Sequence, residues 1–295
     1  MTTITHHQAT HGQKKQISRL GSDAIEKIIE ELDLDGTGSQ RVIEHGDEFA
    51  TVIREAVRSS LLSLSISDRL NNEEVRSKYG YKSGYKPRTI PAQVAILRQF
   101  FPELGSIDEG VADSALPRYA EGWFAIPRWQ RVAPTYNQAV EKVLDAIRQS
   151  IGQLRNWRDQ QTGPEYLRQT RKTEFVFQNL ELEQRLHDIL VIASQFGIRH
   201  RGRSVHRARE VFQTNEFGLG AFAAGIMLLT HPERLQHDDD LWVECAGDEY
   251  NDPTLNIPFD RAPYFGFSKS RTEFGRSWFC AQGQYGSASG FLSLK

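Results

Sequence analysis

The stretch Gly122-Trp-Phe-Ala-Ile-Pro127 marks the point at which the pattern of the chain changes. A short apolar run that ends at a proline is typical of a buried strand leading into a loop. Shortly after it, Thr135 and Gln138 have the spacing of a capping box in front of the clearest helical pattern in the chain. Apolar residues recur at helical spacing on one face of that predicted helix: Ala139, Val140, Val143, Leu144, Ile147 and Ile151.

Upstream of Gly122, the patterns are helical. Apolar spacing predicts helices over residues 22–32, 39–63, 72–79 and 92–101. The apolar face of the second helix is expected to point inward, and it consists of Val42, Ile43, Phe49, Val52, Ile53, Ala56 and Val57. Residues 1–20 are polar and without periodicity, so we expect a disordered tail there.

Downstream of the central helix, the chain changes from helix to strand. A helix is predicted over residues 173–187 and a strand over 189–193, followed by strands over 241–245, 264–267, 277–280 and 289–292. This order predicts an α+β fold, with an N-terminal helical region and a mixed region that ends in an antiparallel sheet. The predicted regions are a tail (1–20), a helical region (21–115) and an α+β domain (116–295). The last two form either two domains or one continuous domain.

The composition is that of an ordinary globular chain. Of its 295 residues, 39% are hydrophobic and 25% charged, so a core can form without disulfide or metal support. Cys245 and Cys280 are the only cysteines, which favours a reducing compartment. We find neither a secretory leader nor an apolar run of about 20 residues, the length that a membrane-spanning helix needs. The sequence therefore predicts a soluble cytoplasmic protein without a membrane partner.

Positive charge is concentrated in the middle of the chain. From Arg118 to Arg209 there are 16 Lys and Arg against 9 Asp and Glu, a balance of 16 − 9 = +7. Arginine suits phosphate because its planar fork donates two parallel hydrogen bonds, and tyrosines next to lysines are typical of single-stranded nucleic-acid surfaces. The predicted ligand-binding residues are Arg199, Arg201, Arg203, Arg207 and Arg209, assisted by Tyr81, Lys82, Tyr85 and Lys86.

An acidic stretch follows directly. From Glu210 to Asp252 there are 10 acids against one base, a balance of 1 − 10 = −9. Adjacent basic and acidic stretches either neutralise each other within the fold or face a ligand, and the sequence leaves both interpretations open.

The acidic residues also raise the possibility of metal chemistry. Asp240, Glu244, Asp248 and Glu249 are the carboxylates that a metal-dependent hydrolase or nuclease would use. Three consecutive aspartates cannot all point the same way in a regular strand, however. Residues 33–44 resemble a calcium loop in several positions, but Gln40 stands where an aliphatic residue is expected. Neither a dinucleotide fingerprint nor a P-loop is present, so we predict no cofactor and no metal.

Several segments resemble a family of uncharacterised proteins common in small-genome bacteria of the candidate phyla radiation. The matching stretches begin at Gln40, Glu121, Phe217, Leu229, Glu244 and Gly286, and they read QRVIEHG, EGWFAIP, FGLG, LTHP, ECAGDEY and GSASGF. They are spread over most of the chain from about residue 20. The resemblance implies a cytoplasmic bacterial protein. It transfers no catalytic residue.

Three functions remain as hypotheses. The first is a protein that binds nucleic acid or a phosphate-bearing ligand through the basic segment. The second is the metal-dependent enzyme. The third is an interaction module whose N-terminal helices recruit a protein partner, which a large exposed apolar patch on the second helix, predicted over 39–63, would favour.

Overall fold

The structure is a computed structural model that describes residues 10–33, 35–65, 70, 73–255, 257–278 and 280–292, with the side chains of residues 55 and 58–65 left out. The chain divides into two compact units, Met1–Ser67 and Asp68–Lys295, which we call the N-terminal unit and the C-terminal unit. The division between the units falls within the predicted helical region 21–115. Residues such as Ile90, Val94 and Leu97 belong to the hydrophobic core of the C-terminal unit.

The described part of the N-terminal unit consists of three helices: α1 (His11–Leu32), α2 (Gly36–Glu44) and α3 (Gly46–Ser65). Thr10 and Gln13 form a capping box at the start of α1, so residues 11–20 are helical where we expected a disordered tail. Residues 1–9 lie outside the described residues. The single helix predicted over 39–63 is two helices that meet at His45.

The C-terminal unit contains five further α-helices among its described residues. They are α4 (Ile90–Phe100), α5 (Tyr136–Ile151), α6 (Arg171–Glu183), α7 (Val205–Glu210) and α8 (Ala221–Thr230). Every residue of α8 is buried. Gly225 lets α5 approach closely, because a Cβ atom there would lie 2.6 Å from Cγ1 of Val143. Helix α8 is thus the centre of the core.

An antiparallel four-stranded sheet packs beside α8. Its strands, in spatial order, are β1 (Gly122–Pro127), β4 (Ile189–Gln195), β11 (Ser289–Phe291) and β5 (Glu216–Gly218). Strand β4 is buried along its whole length, which agrees with its continuous apolar sequence.

Two further sheets complete the unit. The five-stranded sheet has the order β10 (Tyr285–Ser287), β6 (Trp242–Glu244), β8 (Pro263–Ser268), β9 (Arg271–Arg276) and β2 (Leu154–Asn156). Its outer pairs, β10 with β6 and β2 with β9, are parallel, and its inner pairs are antiparallel. The third sheet pairs β3 (Leu167–Gln169) with β7 (Asp248–Tyr250).

The α+β fold class is confirmed, and so are the strand over 122–127 and the helix that Thr135 caps. Two predicted elements are wrong. The described residues of segment 72–79 are extended rather than helical, and Glu74 forms a bridge with Arg203. The described residues of 277–280 form no strand, since β9 ends at Arg276.

Candidate functional site

Arg199, the first arginine of the predicted ligand cluster, is held inside the fold. Its Nε donates to Glu216 at 3.1 Å from Oε2, and its guanidinium lies 3.7 Å from the centre of the Tyr119 ring. Glu216 is completely buried on β5 and also accepts from Ser289 Oγ at 2.7 Å. The carboxylate is therefore well satisfied without a ligand.

His200 completes this buried network. Its Nε2 lies 2.7 Å from Oε1 of Glu216, and its Nδ1 lies 3.1 Å from Nη1 of Arg203. Arginine only donates, so Nδ1 accepts and Nε2 carries the proton. Burial lowers the pKa of His200, in keeping with a neutral ring. Burial alone would raise the pKa of Glu216, but the hydrogen bond from His200 and other contacts lower it overall.

Three more of these arginines are bound to protein groups. Nε of Arg203 lies 3.2 Å and Nε of Arg207 lies 2.7 Å from the same Glu74 oxygen. Arg207 also pairs with Glu210 at 2.7 Å. Arg209 donates to the backbone carbonyls of Ala246 and Asp248 at 2.9 and 2.6 Å. The side chains of the basic segment thus diverge to separate protein partners instead of converging on a cleft.

The remaining predicted cations lie on the surface. Arg201 is exposed and makes one long hydrogen bond, 3.4 Å, to the carbonyl of Tyr79. Lys82 and Lys86 are also exposed. Only these three of the seven predicted cations are exposed.

The two predicted tyrosines face the interior. The Tyr81 ring lies 3.6 Å from the guanidinium carbon of Arg234, and the Tyr85 ring packs edge-on against Phe196 and His231. Arg234 is placed here by the short turn Pro232–Arg234 that follows α8. We call Tyr81, Tyr85, Glu121, Phe196, His231 and Arg234 the Arg234 cluster.

Buried polar atoms of the Arg234 cluster lack hydrogen-bond partners among the described residues. Arg234 is 0% exposed and donates from Nη2 to the carbonyl of Leu241 at 2.8 Å. Its Nε and Nη1, the Tyr85 hydroxyl and Oε2 of Glu121 are buried without a partner. Glu121 accepts from the Tyr81 hydroxyl, and burial raises its pKa to about 7. A buried charge with unused donors is costly, so a polar group that reached these atoms would stabilise the folded state.

The carboxylates named for the alternative hypothesis of a metal-dependent enzyme are separated. Asp240 accepts from the backbone N–H groups of Lys82, Gln236 and His237, and Glu249 pairs with Arg168 at 2.8 Å. In the described ranges, no three His, Cys, Asp or Glu side chains lie together in a way that could hold a metal ion. Residues 36–44 are helical, with Asp35 as the N-cap of α2, so the calcium-like segment does not form a loop.

Two buried carboxylates have structural partners instead. Glu244 accepts from Ser287 Oγ at 2.7 Å. Asp248 accepts from the Tyr136 hydroxyl at 2.8 Å and from the N–H of Ala221, the first residue of α8, at 2.7 Å. Burial raises the pKa of each carboxyl to about 7.

The N-terminal unit carries an exposed apolar surface, which we call the N-terminal apolar surface. None of the side chains described in α1, α2 and α3 is buried. Its exposed large apolar residues include Ile43 and Val52, which are 69% and 61% exposed although we expected them to point inward. The complete set of exposed large apolar residues described in these helices is Ile17, Leu20, Ile28, Ile29, Leu32, Val42, Ile43, Phe49, Val52 and Val57.

A shallow groove of about 350 Å³ lies on this surface between α2 and α3. Val42, Phe49 and Val52 line it, and Arg41, His45 and Glu48 complete the lining. No helix in the described ranges is long and apolar enough to cross a membrane.

Comparison of the chain with protein-family models, curated proteins and solved structures found no match. The resemblance to the candidate-phyla family therefore stays a prediction.

The buried position of Arg234 was not predicted from the sequence. Arg234 is the single base within an acidic stretch, and that isolation is the signal that could have indicated it. Glu121 was not predicted as a site residue either. Its position directly before β1 places it where its side chain reaches Tyr81.

Proposed function

We propose that the chain is a protein-interaction protein, in which the N-terminal unit is a docking module joined to the folded C-terminal unit. One observation carries this proposal: ten large apolar side chains of α1, α2 and α3 are exposed, and no described side chain of these helices is buried. Fully burying an aliphatic side chain of this size stabilises by about 1.5–3 kcal/mol. A partner that covers such a surface has a large apolar area available to it.

The stability of isolated helices supports the same proposal. A helix in water is stabilised mainly by packing its amphipathic face, and propensity alone leaves isolated helices marginal. The large apolar side chains of α1, such as Ile17 and Ile28, are exposed instead of packed against a described partner. Partner binding and helix formation would therefore be coupled in this unit.

The first alternative, a nucleic-acid surface at Arg199–Arg209, loses four of its five arginines to protein partners. The second, a metal-dependent enzyme, lacks converging carboxylates in the described ranges. The third hypothesis, an interaction module, is favoured by the exposed apolar surface.

The test is the native mass of the full chain, measured on the purified protein and in extracts of its own cells. We expect an assembly of fixed stoichiometry that exceeds the 33.6 kDa of one chain. A double substitution, Ile43→Asp with Val52→Asp, removes two exposed apolar side chains and should lower the native mass measured in the extracts. Leu182→Asp is the matched control, because Leu182 is 70% exposed on α6 in the other unit. A monomer in both samples, or equal loss of the assembly with Leu182→Asp, would contradict the proposal.

A second function is favoured by the orphaned atoms of the Arg234 cluster. A small phosphate-bearing ligand would accept from Arg234 and from the Tyr85 hydroxyl, and its protonated oxygen would donate to Glu121. The ligand class is the one that the sequence predicts, but the proposed binding residue is Arg234 instead of Arg199–Arg209.

Orthophosphate is the probe for this second function. A ligand that binds only the folded state raises the unfolding temperature as its concentration rises. We expect phosphate to do so in the full chain, and Tyr85→Phe to weaken the effect. No phosphate-dependent shift, or ordered water alone between Arg234 and Glu121 in a crystal structure, would overturn it.

A further inference from the structure

Helix α1 has a nearly symmetric distribution of apolar and charged residues about its centre, between Ser22 and Asp23. Three pairs of positions at equal distances from this centre carry matching residues: Ile17 mirrors Ile28, Leu20 mirrors Ile25, and Gly21 mirrors Ala24. The match is partial, since the exposed Ile29 and Leu32 are mirrored by Gln16 and Gln13. Ile17 and Ile28 are 44% and 53% exposed, so both are available to a partner.

Three basic residues of α1 are mirrored by acids, whereas Asp23 and Lys27 are mirrored by serines. Lys14 corresponds to Glu31, Lys15 to Glu30, and Arg19 to Glu26. The first half of the helix is therefore basic and the second half mainly acidic. Two copies aligned antiparallel would place each basic half beside an acidic half, whereas a parallel pair would place like charges together.

The charge order of α1 is unfavourable for a helix on its own. The dipole of a helix favours acidic residues in the first turn and basic residues in the last turn. Helix α1 has neither an acid in its first turn nor a base in its last turn, and Glu30 and Glu31 lie close to its C-terminus. An antiparallel partner would place its basic half beside these glutamates. The attraction between them would offset the unfavourable interaction of the glutamates with the helix dipole.

Small residues occupy the centre of the pattern. Gly21 has no atom within 4 Å of where its Cβ would be, and Ala24 mirrors it across the centre. Small side chains at a crossing point let two helix backbones approach closely, with larger residues packing on either side. Here Ile17 and Leu20 flank the centre on one side, with Ile25 and Ile28 on the other.

We propose that the partner of α1 is a second copy of this chain, and that the two α1 helices pair antiparallel about the Ser22–Asp23 centre. This inference rests on the proposed docking function of the N-terminal unit and names its occupant. The apolar mirror pairs form the contact, Lys14 and Glu31 lie at its two ends, and the remaining charges set the orientation.

Cysteine cross-linking of the full chain tests the orientation. The background variant is Cys280→Ser, because Cys280 is exposed whereas Cys245 is buried. Chains carrying Ile17→Cys are mixed with chains carrying Ile28→Cys and oxidised mildly. We expect the mixed cross-link to dominate over either self cross-link. Gln149→Cys, exposed on α5, gives the background from random collisions. Dominant self cross-linking of Ile17→Cys would mean a parallel pair and would overturn the proposal.

Charge reversal gives an independent readout. Lys14→Glu with Lys15→Glu should raise the dimer dissociation constant about tenfold, because four exposed ion pairs of the two-fold dimer become repulsive. Adding Glu30→Lys and Glu31→Lys should restore it. A purified chain that stays monomeric and cross-links no more than Gln149→Cys overturns self-association. If that chain still assembles in cell extracts through Ile43 and Val52, the docking function stands and only this inference fails.

Discussion

The Nε atom of Arg199 lies 3.1 Å from Oε2 of Glu216, and the side chain of Glu216 is fully buried. The most basic segment of the chain thus begins with an internal ion pair. Hydrogen bonds from His200 and Ser289 to the same carboxylate add to it. This network holds the loop after β4 against β5. The positive charge of Arg199, which the sequence suggested for a ligand, is thereby paired within the protein.

Neutralising Glu216 should destabilise the C-terminal unit. We expect Glu216→Gln to lower the free energy of unfolding by about 3 kcal/mol, because Arg199 keeps its charge without an ionic partner. Urea unfolding measures the change. The control is Asp145→Asn, which breaks the exposed pair with Arg148 and should cost less than about 0.5 kcal/mol. Equal effects of the two substitutions would contradict a structural role for Glu216.

Binding of polynucleotides should be weak, and its affinity should change only slightly with salt concentration. Each neutralised phosphate of a single strand contributes a slope of about −0.7 to the plot of log affinity against log salt. Arg201, Lys82 and Lys86 are the predicted cations that remain exposed, so we expect a slope no steeper than about −2. Titration of a single-stranded polynucleotide at several salt concentrations measures it. A slope of about −5 or steeper would mean that the paired arginines bind phosphate after all.

The sequence predicts some elements well because their signals are local. The capping box at Thr135 and the apolar face from Ala139 to Ile147 lie within one helix, and α5 forms as expected. Strand β1 is equally readable from a short buried run that ends at Pro127.

The charge pairs could not be predicted from local sequence in the same way. Arg207 and Glu74 are 133 positions apart, and nothing local to either residue indicates the contact. The tyrosines next to Lys82 and Lys86 look like a stacking surface in the sequence, but tertiary packing turns their rings toward Arg234. The apolar pattern of α2 and α3 predicts an amphipathic face without saying what covers it.

The pH dependence of stability should change when Glu244 is made neutral. Its folded pKa of about 7 lies above its ordinary value of 4.5. The group therefore favours the folded state below pH 4.5, and this contribution is lost as the pH rises through 7. We expect Glu244→Gln to gain stability relative to the native chain by roughly 1 kcal/mol per pH unit between about pH 5 and 7. Urea unfolding at several pH values measures it, and a pH-independent difference would contradict the buried carboxyl.

The stability of the Tyr85→Phe variant shows whether the Tyr85 hydroxyl in the Arg234 cluster has a bound partner. The substitution removes a buried hydroxyl that has no partner among the described residues. Leaving such a group unsatisfied costs about 1–3 kcal/mol, so we expect the variant to be more stable than the native chain in the absence of phosphate. Thermal unfolding with and without phosphate measures this. Destabilisation in phosphate-free buffer would contradict an unsatisfied hydroxyl.

Helix α1 is proposed to be held by the α1 helix of a second copy of the chain. Hydrogen exchange of the α1 amides, followed over a dilution series whose monomer and dimer contents are known from the mass, tests it most directly. We predict slow exchange over His11–Leu32 in the dimer and fast exchange in the monomer, with the exchange in β4 unchanged. Exchange in α1 that is the same at every dilution would contradict the claim.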